Sequence, residues 1–400
     1  MNFKHLLATI KYNKFVALII IFQVALSMSI VSNSFFLTLK TYKEWSLPTG
    51  LDTEELVLIT AKNYRNNMDF RELLTDDLAE FKDIDGVISV TPMNHTPIAA
   101  GWPNTVFEGQ GDNRRSFQTH VFDVDANGLS VFGLALIEGR KFEATDVIYG
   151  DDQGNAAVVM VSSEMAKALY PDDSAIGKSI WLEAESSSAE IIGVYSGFLG
   201  SQFLVRKGMP YRSMLHPKVS WHNDNIQQYM IRIQEGAKGA IFNKIDEYYG
   251  QAAGRFASKP VTLGDIKVKV FYERLSTLVM YLTISILLLL ITFCGLIGLI
   301  SFIVSTRHTQ IGIRRALGAK RSDILWEFIS ENILVTIVGV IFGTVLAILI
   351  STMFREFNGI TAADWIYVVF VGLAILILNV FAVFIPVRKV IYTRLGTVMR

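Results

Sequence analysis

The chain has 400 residues, 37 Lys+Arg against 37 Asp+Glu, and 51% hydrophobic residues. The cancelling charges exclude the basic footprint of a nucleic-acid partner and the acidic tail of a solvating chain. The apolar excess is gathered into a few uncharged runs, which points to a bilayer rather than to an oversized soluble core, and the one cysteine, Cys294, excludes an internal disulfide and a Cys-based metal site.

Taken in chain order, the uncharged runs are Phe15 to Leu39, Leu275 to Thr306, Asn332 to Phe354 and Trp365 to Val387. Each exceeds the ~20 residues that cross a hydrocarbon core of ~30 Å. The second would reach roughly 48 Å as a helix, so it is expected to continue past the membrane surface. Lys4, Lys11 and Lys14 precede the first run. Arg307, Arg314, Arg315, Lys320 and Arg321 separate the second from the third, and Arg388, Lys389, Arg394 and Arg400 follow the fourth. If each run crosses once, all three basic clusters fall on one side, which the positive-inside rule makes the cytoplasm. Both termini are then expected in the cytoplasm (1–14 and 388–400), with 40–274 outside and 355–364 as a short outer loop. The first run is too long for a signal-peptide core and lacks a clear cleavage site, so an uncleaved anchor is expected.

The segment 40–274 has the character of an α+β domain. Glu55 to Thr60 reads as a strand. Asp69 to Phe81 reads as a helix, with Phe70, Leu73, Leu74, Leu78 and Phe81 at helical spacing, and Gly86 to Val90 as a second strand. The pattern recurs as a strand over Gln227 to Ile233, a helix over Ala237 to Tyr249, and an extended stretch over Lys259 to Phe271. The two β-α-β units are expected to form one split subdomain around a mainly β insertion at about 91–221. Within the insertion, Ala157 to Val161, Ser179 to Leu182 and Glu190 to Val194 read as strands, and Met165 to Tyr170 as a helical turn ended by Pro171.

Catalytic motifs are absent. Ile176-Gly177-Lys178-Ser179 ends like a phosphate-binding loop, but Asp172 stands where that loop needs a glycine, and an ATP site is rejected. His216 and His222 flank Pro217 without a third ligand and read as a surface loop. Asp151-Asp152 and Asp172-Asp173 lack calcium-loop spacing and read as turn acids. No ionisable side chain sits mid-span, which argues against an ion-coupled pump. Gln23 and Asn379 are expected to bond between helices, and Gly339 and Gly343, one turn apart, to form a packing face.

The segment at 307–331 reads as helix, turn, helix. Gly318 suits a left-handed helix end, and Ser322 an N-cap with Asp323 behind it. The first helix is expected to be basic on one side and apolar through Ile311, Ile313 and Leu317 on the other. Physics alone leaves two readings open: a helix lying on anionic lipid, or one that docks into a partner ATPase.

Ile311-Gly312-Ile313-Arg314-Arg315-Ala316-Leu317-Gly318-Ala319 resembles the FtsX/MacB-type permease signature that follows the second span. Leu136 to Phe142, Tyr170-Pro171 through Ile180, and Ile192-Gly193-Val194 resemble the MacB-type periplasmic core domain, in which the Gly-Lys pair is a structural turn. Pro386 to Met399-Arg400 resembles the family's ending. The resemblance covers nearly the whole chain, in the order of one span, outer domain and three spans. It implies a non-catalytic permease of an ABC transporter in a bacterial inner membrane, of mechanotransmission type, in which the long second helix moves the outer domain. Gln310 to Gly318 would couple it to a separate ABC ATPase. The chain itself would bind no cofactor, ATP and Mg being used by that partner. A second permease copy or a paralogue, membrane lipids, a periplasmic adaptor and an outer-membrane channel are the further implied partners, and no fused nucleotide-binding domain is expected. The family's acids before this core are replaced by Gln310 and Thr306, and a customary proline by Leu395, which suggests a non-identical second permease that keeps the acids. Lipoprotein extraction of the LolC/LolE kind, or an FtsX-like scaffold controlling a cell-wall hydrolase, are the alternatives.

Overall fold

The structure, a computed structural model, describes residues 14–64, 69–99, 104–109, 114–150, 156–182, 187–200, 210–220, 226–353 and 365–391. His222, Asp151-Asp152, the loop 355–364 and, of the basic residues in the terminal tails, Lys4, Lys11, Arg394 and Arg400 lie outside the described residues; Lys14 opens the first described helix, and Arg388 and Lys389 stand in the last turn of the final one. The chain divides into a polar unit, Glu44–Glu273, and an apolar unit, Met1–Lys43 with Arg274–Arg400.

The first helix among the described residues is α1 (Lys14–Trp45), which ends just inside the polar unit. There β1 (Leu56–Asn63), α2 (Phe70–Asp83) and β2 (Val87–Met93) form the first β-α-β unit. Asp69 caps α2 by accepting from the amides of Arg71 at 2.9 Å and Glu72 at 3.4 Å. The insertion follows as β3 (Asn104–Glu108), β4 (Arg115–Asp123), α3 (Gly128–Phe132), β5 (Leu136–Gly139), β6 (Ile148–Tyr149), β7 (Val158–Ser162), α4 (Ser163–Leu169), β8 (Ser179–Leu182), β9 (Ser187–Tyr195), β10 (Ser213–His216) and β11 (Lys218–Val219). The second unit is β12 (Ile226–Ile233), α5 (Lys238–Gln251), β13 (Arg255–Ala257) and β14 (Val261–Thr262).

The two β-α-β units make one sheet in the order β13-β1-β12-β2, with β14 also on β1. Val57, Ile59 and Ala61 of β1 pack with α2 and α5 through Leu74, Phe81, Ile241 and Ile245. Leu56 and Leu58, on the opposite face, join Phe122, Phe132, Tyr195 and Phe198 in a second core. Both faces are thus covered, in keeping with the unbroken apolar run from Leu56 to Ile59 at the start of β1. In the insertion the pairings β9-β7-β10-β4-β3-β8 close on themselves through β8–β9, and β5 attaches to β9. Val106, Val159, Ile180, Ile191 and Met214 fill this ring with Met165 and Leu169 of α4.

Two expectations in this unit are corrected. The stretch ending at Phe271 is not extended: helix α6 (Leu263–Thr306) begins directly after β14. Its start is fixed by reciprocal bonds, Asp265 N–H to Thr262 Oγ1 at 3.1 Å and Thr262 N–H to Asp265 Oδ2 at 3.3 Å. His216 is not on a surface loop. It is buried at the end of β10, its Nδ1 2.8 Å from Asp123 Oδ1 while Nε2 accepts from the Ala156 amide at 3.1 Å.

The apolar unit continues with α7 (His308–Ala316), α8 (Arg321–Met353) and α9 (Trp365–Ile391). Among the described residues, four helices are long and apolar enough to cross a membrane: 14–43, 263–306, 321–353 and 367–390. Ser322 does not cap α8, a correction: the helix already starts at Arg321, and the amides of Asp323 and Ile324 bond to Lys320 O. Leu317 to Lys320 is too short a turn to leave Ser322 outside the helix.

Candidate functional site

The residues between α6 and α8 form a helical hairpin. Arg307 interrupts the helix between α6 and α7, although its amide still reaches Ile303 O at 3.2 Å and its carbonyl accepts from Ile311 at 3.0 Å. The far end of α7 is closed by Gly318 at φ +94°, a conformation that favours glycine. The Ala319 amide reaches back to Arg314 O at 3.0 Å and the Gly318 amide to Arg315 O at 3.1 Å, which satisfies the last carbonyls.

The expected apolar face is corrected. At ~100° per residue, Ile311 and Ile313 lie on nearly opposite sides of α7. Ile311 and Gly312 are buried, Ile311 among Ile300, Val304, Ile324, Ile329, Val383 and Val387. Ile313 is 51% exposed and Leu317 83%, with Trp326 of α8 also open at 62%. Gln310 and Ala316 are exposed as well, and Arg315 is half-buried.

Two acids that sequence reading missed hold this hairpin. Arg307 donates from Nη1 and Nη2 to Glu331 at 3.1 and 3.4 Å, and Arg314 from Nη1 to both Glu327 oxygens at 3.0 and 2.8 Å. The inner pair is largely buried and the outer pair open, with side-chain exposures of 18% and 15% against 54% and 44%. The signal was present in the sequence: Asp323, Glu327 and Glu331 recur every four residues, one acidic stripe on the helix after a basic segment.

The remaining predicted residues lie inside the bundle. Gln23 donates from Nε2 to Ile291 O at 3.2 Å, and a Cβ on Gly295 would meet that amide at 2.6 Å. Gly339 and Gly343 let α8 approach α1: a Cβ there would lie 2.9 Å from Val24 Cβ and 2.5 Å from Met28 Cβ. Asn379 accepts from Asn332 Nδ2 at 2.7 Å. Glu331 and Asn332 also line a small, partly open pocket of about 40 Å³ whose other walls are apolar, among them Ala17, Ile20, Ile300 and Val335.

In the polar unit, Lys178 of the Gly-Lys pair is engaged by Asp173 at 3.0 Å and lies over the Tyr170 ring, while Gly177 makes a turn at φ +77°. The densest buried cluster there surrounds Asp77. Its carboxylate accepts from Tyr229, Tyr248 and Tyr249 at 2.7, 2.8 and 3.2 Å, and from Arg255 Nη2 at 2.5 Å. Burial, reinforced by the Asp77 charge, pushes the Tyr248 phenol up to about 12 and those of Tyr229 and Tyr249 above the ordinary range. His120 on β4 is 2% exposed, and neither ring nitrogen has a partner among the described residues. Burial lowers it to about 4.

Membrane-length helices joined to a split-sheet polar unit define a polytopic membrane protein with a large polar domain. The MacB-like periplasmic core domain model matches residues 17–247 and the FtsX-like permease C-terminal model matches residues 282–395. The chain belongs to this MacB/FtsX-type family of ABC transporter permeases. It is 26% identical over 245 residues to the macrolide export ATP-binding/permease protein MacB of Campylobacter jejuni, covering 58% of this chain and 37% of that protein. With the MacB of Mannheimia succiniciproducens it shares 23% over 316 residues, 77% of this chain and 46% of that protein. The chain therefore spans less than half the length of these curated relatives. Among solved structures, the periplasmic region of MacB from Actinobacillus actinomycetemcomitans aligns with 55% of this chain and 94% of its own, at 18% identity and a TM-score of 0.34.

Proposed function

We propose that this chain is a non-catalytic, mechanotransmitting permease subunit. It lies in a bacterial inner membrane with both termini in the cytoplasm, and it couples ATP hydrolysis by a separate ABC ATPase to substrate export or efflux on the other side. The observation that carries the reading is the two-faced helix α7. Ile311 and Gly312 anchor it in the bundle, while Ile313 and Leu317 stay exposed, as does Trp326 of α8. A helix lying on lipid would spread its apolar residues along one exposed face with basic residues flanking them. Here Arg307 and Arg314 are turned to acids of α8 instead. What remains exposed is a small apolar knob, suited to a pocket in a protein partner. The names of the relatives, ATP-binding/permease proteins, support an ABC ATPase as that partner. The permease works as a dimer with a second copy or a paralogue. Gln310, exposed and uncharged, removes one acid from the docking face and favours a paralogue that keeps it. A periplasmic adaptor and an outer-membrane channel complete the export route.

The test is affinity purification from native membranes, with bound ABC ATPase quantified by mass spectrometry. Leu317→Asp should lower the ATPase retained by about ten-fold or more, as loss of a central apolar anchor does, with unchanged insertion. Unchanged retention, or thiol labelling that places Arg314→Cys outside the cell, sinks the docking reading.

A further inference from the structure

We infer that Glu327 and Glu331 are positioning residues which fasten α7 to α8, so that the third span, together with the second, receives the motion of whatever docks on α7. The geometry is a two-rung clamp. Glu327 and Glu331 stand one turn apart on α8; Arg314 lies within α7 and Arg307 immediately before it, seven residues away. The later acid takes the earlier arginine, as an antiparallel hairpin requires. The inner rung is a fork-to-fork pair, and such pairs fix orientation as well as distance. Arg307 is also the residue at which the helix from α6 is interrupted. The joint that would let α7 swing on the second span is thus tied by its own side chain to the third.

From α8 the contacts spread to the rest of the bundle. Asn332, next to Glu331, donates to Asn379 of α9 at 2.7 Å. Gly339 and Gly343 press against α1, and Asn33 of α1 donates to Ala347 O at 3.3 Å. A displacement of α7 that keeps both rungs intact must carry α8, and α8 touches α1 and α9 through directional groups.

The functional half of this inference rests on the docking reading above; the mechanical half does not, and the experiment separates them. The full chain is reconstituted in nanodiscs of phosphatidylethanolamine and phosphatidylglycerol, without any partner, and amide hydrogen exchange is followed over 308–317. Arg307→Glu should speed exchange there by about ten-fold or more, as for a segment freed to open locally. The swap Arg307→Glu/Glu331→Arg should return it to within about two-fold, and Arg307→Lys only part of the way, because a point charge cannot replace the fork. Protection of 335–347 in α8 serves as the check on folding of the bundle. If Arg307→Glu unfolds the bundle, Arg314→Glu at the open rung gives the same reading without a buried charge. Exchange within about two-fold of wild type in the folded single-charge reversals overturns the clamp. A chain that passes this test yet retains no ABC ATPase sinks the docking reading alone.

Discussion

Asp77→Ala should cost the polar unit more than any other single truncation proposed for it. The carboxylate is 1% exposed, and its four bonds tie α2 to β12, α5 and β13. Removing it leaves the Arg255 guanidinium, whose side chain is 8% exposed, without its counter-charge. Breaking a buried pair from one side costs about 3–5 kcal/mol. The hydroxyls of Tyr229 and Tyr249 lose their acceptor at about 1–3 kcal/mol each, though the three losses overlap and do not add. Against the ~5–15 kcal/mol that holds a domain together, a loss of about 4 kcal/mol or more brings this unit near unfolding. Asp77→Asn keeps one acceptor oxygen and the shape and should cost about 1–3 kcal/mol, the difference between charged and neutral bonds. Pulse proteolysis of the full chain in urea, reading loss of the 44–273 fragment, measures both. Asp77→Ala/Arg255→Ala should cost clearly less than the sum of its singles. A cost below about 1 kcal/mol for Asp77→Ala, or strict additivity, would refute the reasoning. The same cluster sets an alkaline limit. Its phenols stay protonated in the fold while those of the unfolded chain ionise near 10, so the stability they contribute is complete below pH 10 and lost as pH rises toward the 12 of Tyr248.

On the acid side, His120 is neutral in the fold down to about 4, against 6.5 when unfolded. The unfolded chain takes up that proton first, so stability is full above pH 6.5 and falls by up to about 3 kcal/mol on going to pH 4. His120→Leu should flatten that window by one proton in pH-dependent unfolding, and an unchanged slope would count against it. In the bundle, Gly343→Ala places a methyl 2.5 Å from Met28 Cβ and 2.8 Å from Ala25 O, an overpacking worth about 1–3 kcal/mol. Gly298→Ala, with nothing within 4 Å, is the control, and equal Tm values for the two would remove the close-packing account.

The spans were legible because length without charge is a one-dimensional signal, and the two β-α-β units because their apolar residues keep local periods. The start of α6 was misread although its residues announce it. Thr262 and Asp265 make a capping box, and Leu263, Ile266 and Val270 follow at helical spacing, but the run Val261, Leu263, Ile266, Val268 and Val270 also reads as the apolar residues of an extended stretch. The ring of the insertion was only partly visible, for a different reason. β6 is two residues long and pairs with β11 some seventy positions away, and β10 is inserted between β4 and β7. Nothing local in Ser213 to His216 encodes either neighbour. Asp77 was a missed signal of a third kind, an acid set into the apolar stripe of Leu73, Leu74, Leu78 and Phe81, which helical periodicity alone marks as facing the core.

The site was legible as a motif and illegible as a geometry, and the reason lies in how helices associate in lipid. Burial of apolar surface does not draw one span to another when the surroundings are equally apolar, so specific pairing falls to small residues and interhelical hydrogen bonds. In this bundle α8 carries a large share of both, through Gly339, Gly343, Asn332 and the carbonyl of Ala347. The same helix extends past its apolar stretch into Glu331 and Glu327, where the partners become charged arginines of α7. The nine-residue core from Ile311 to Ala319 therefore marks α7 but not what holds it, because the holding groups sit on the next helix, eight and twelve residues beyond Ala319. A motif that ends at the turn stops short of the acids that give its arginines a fixed direction.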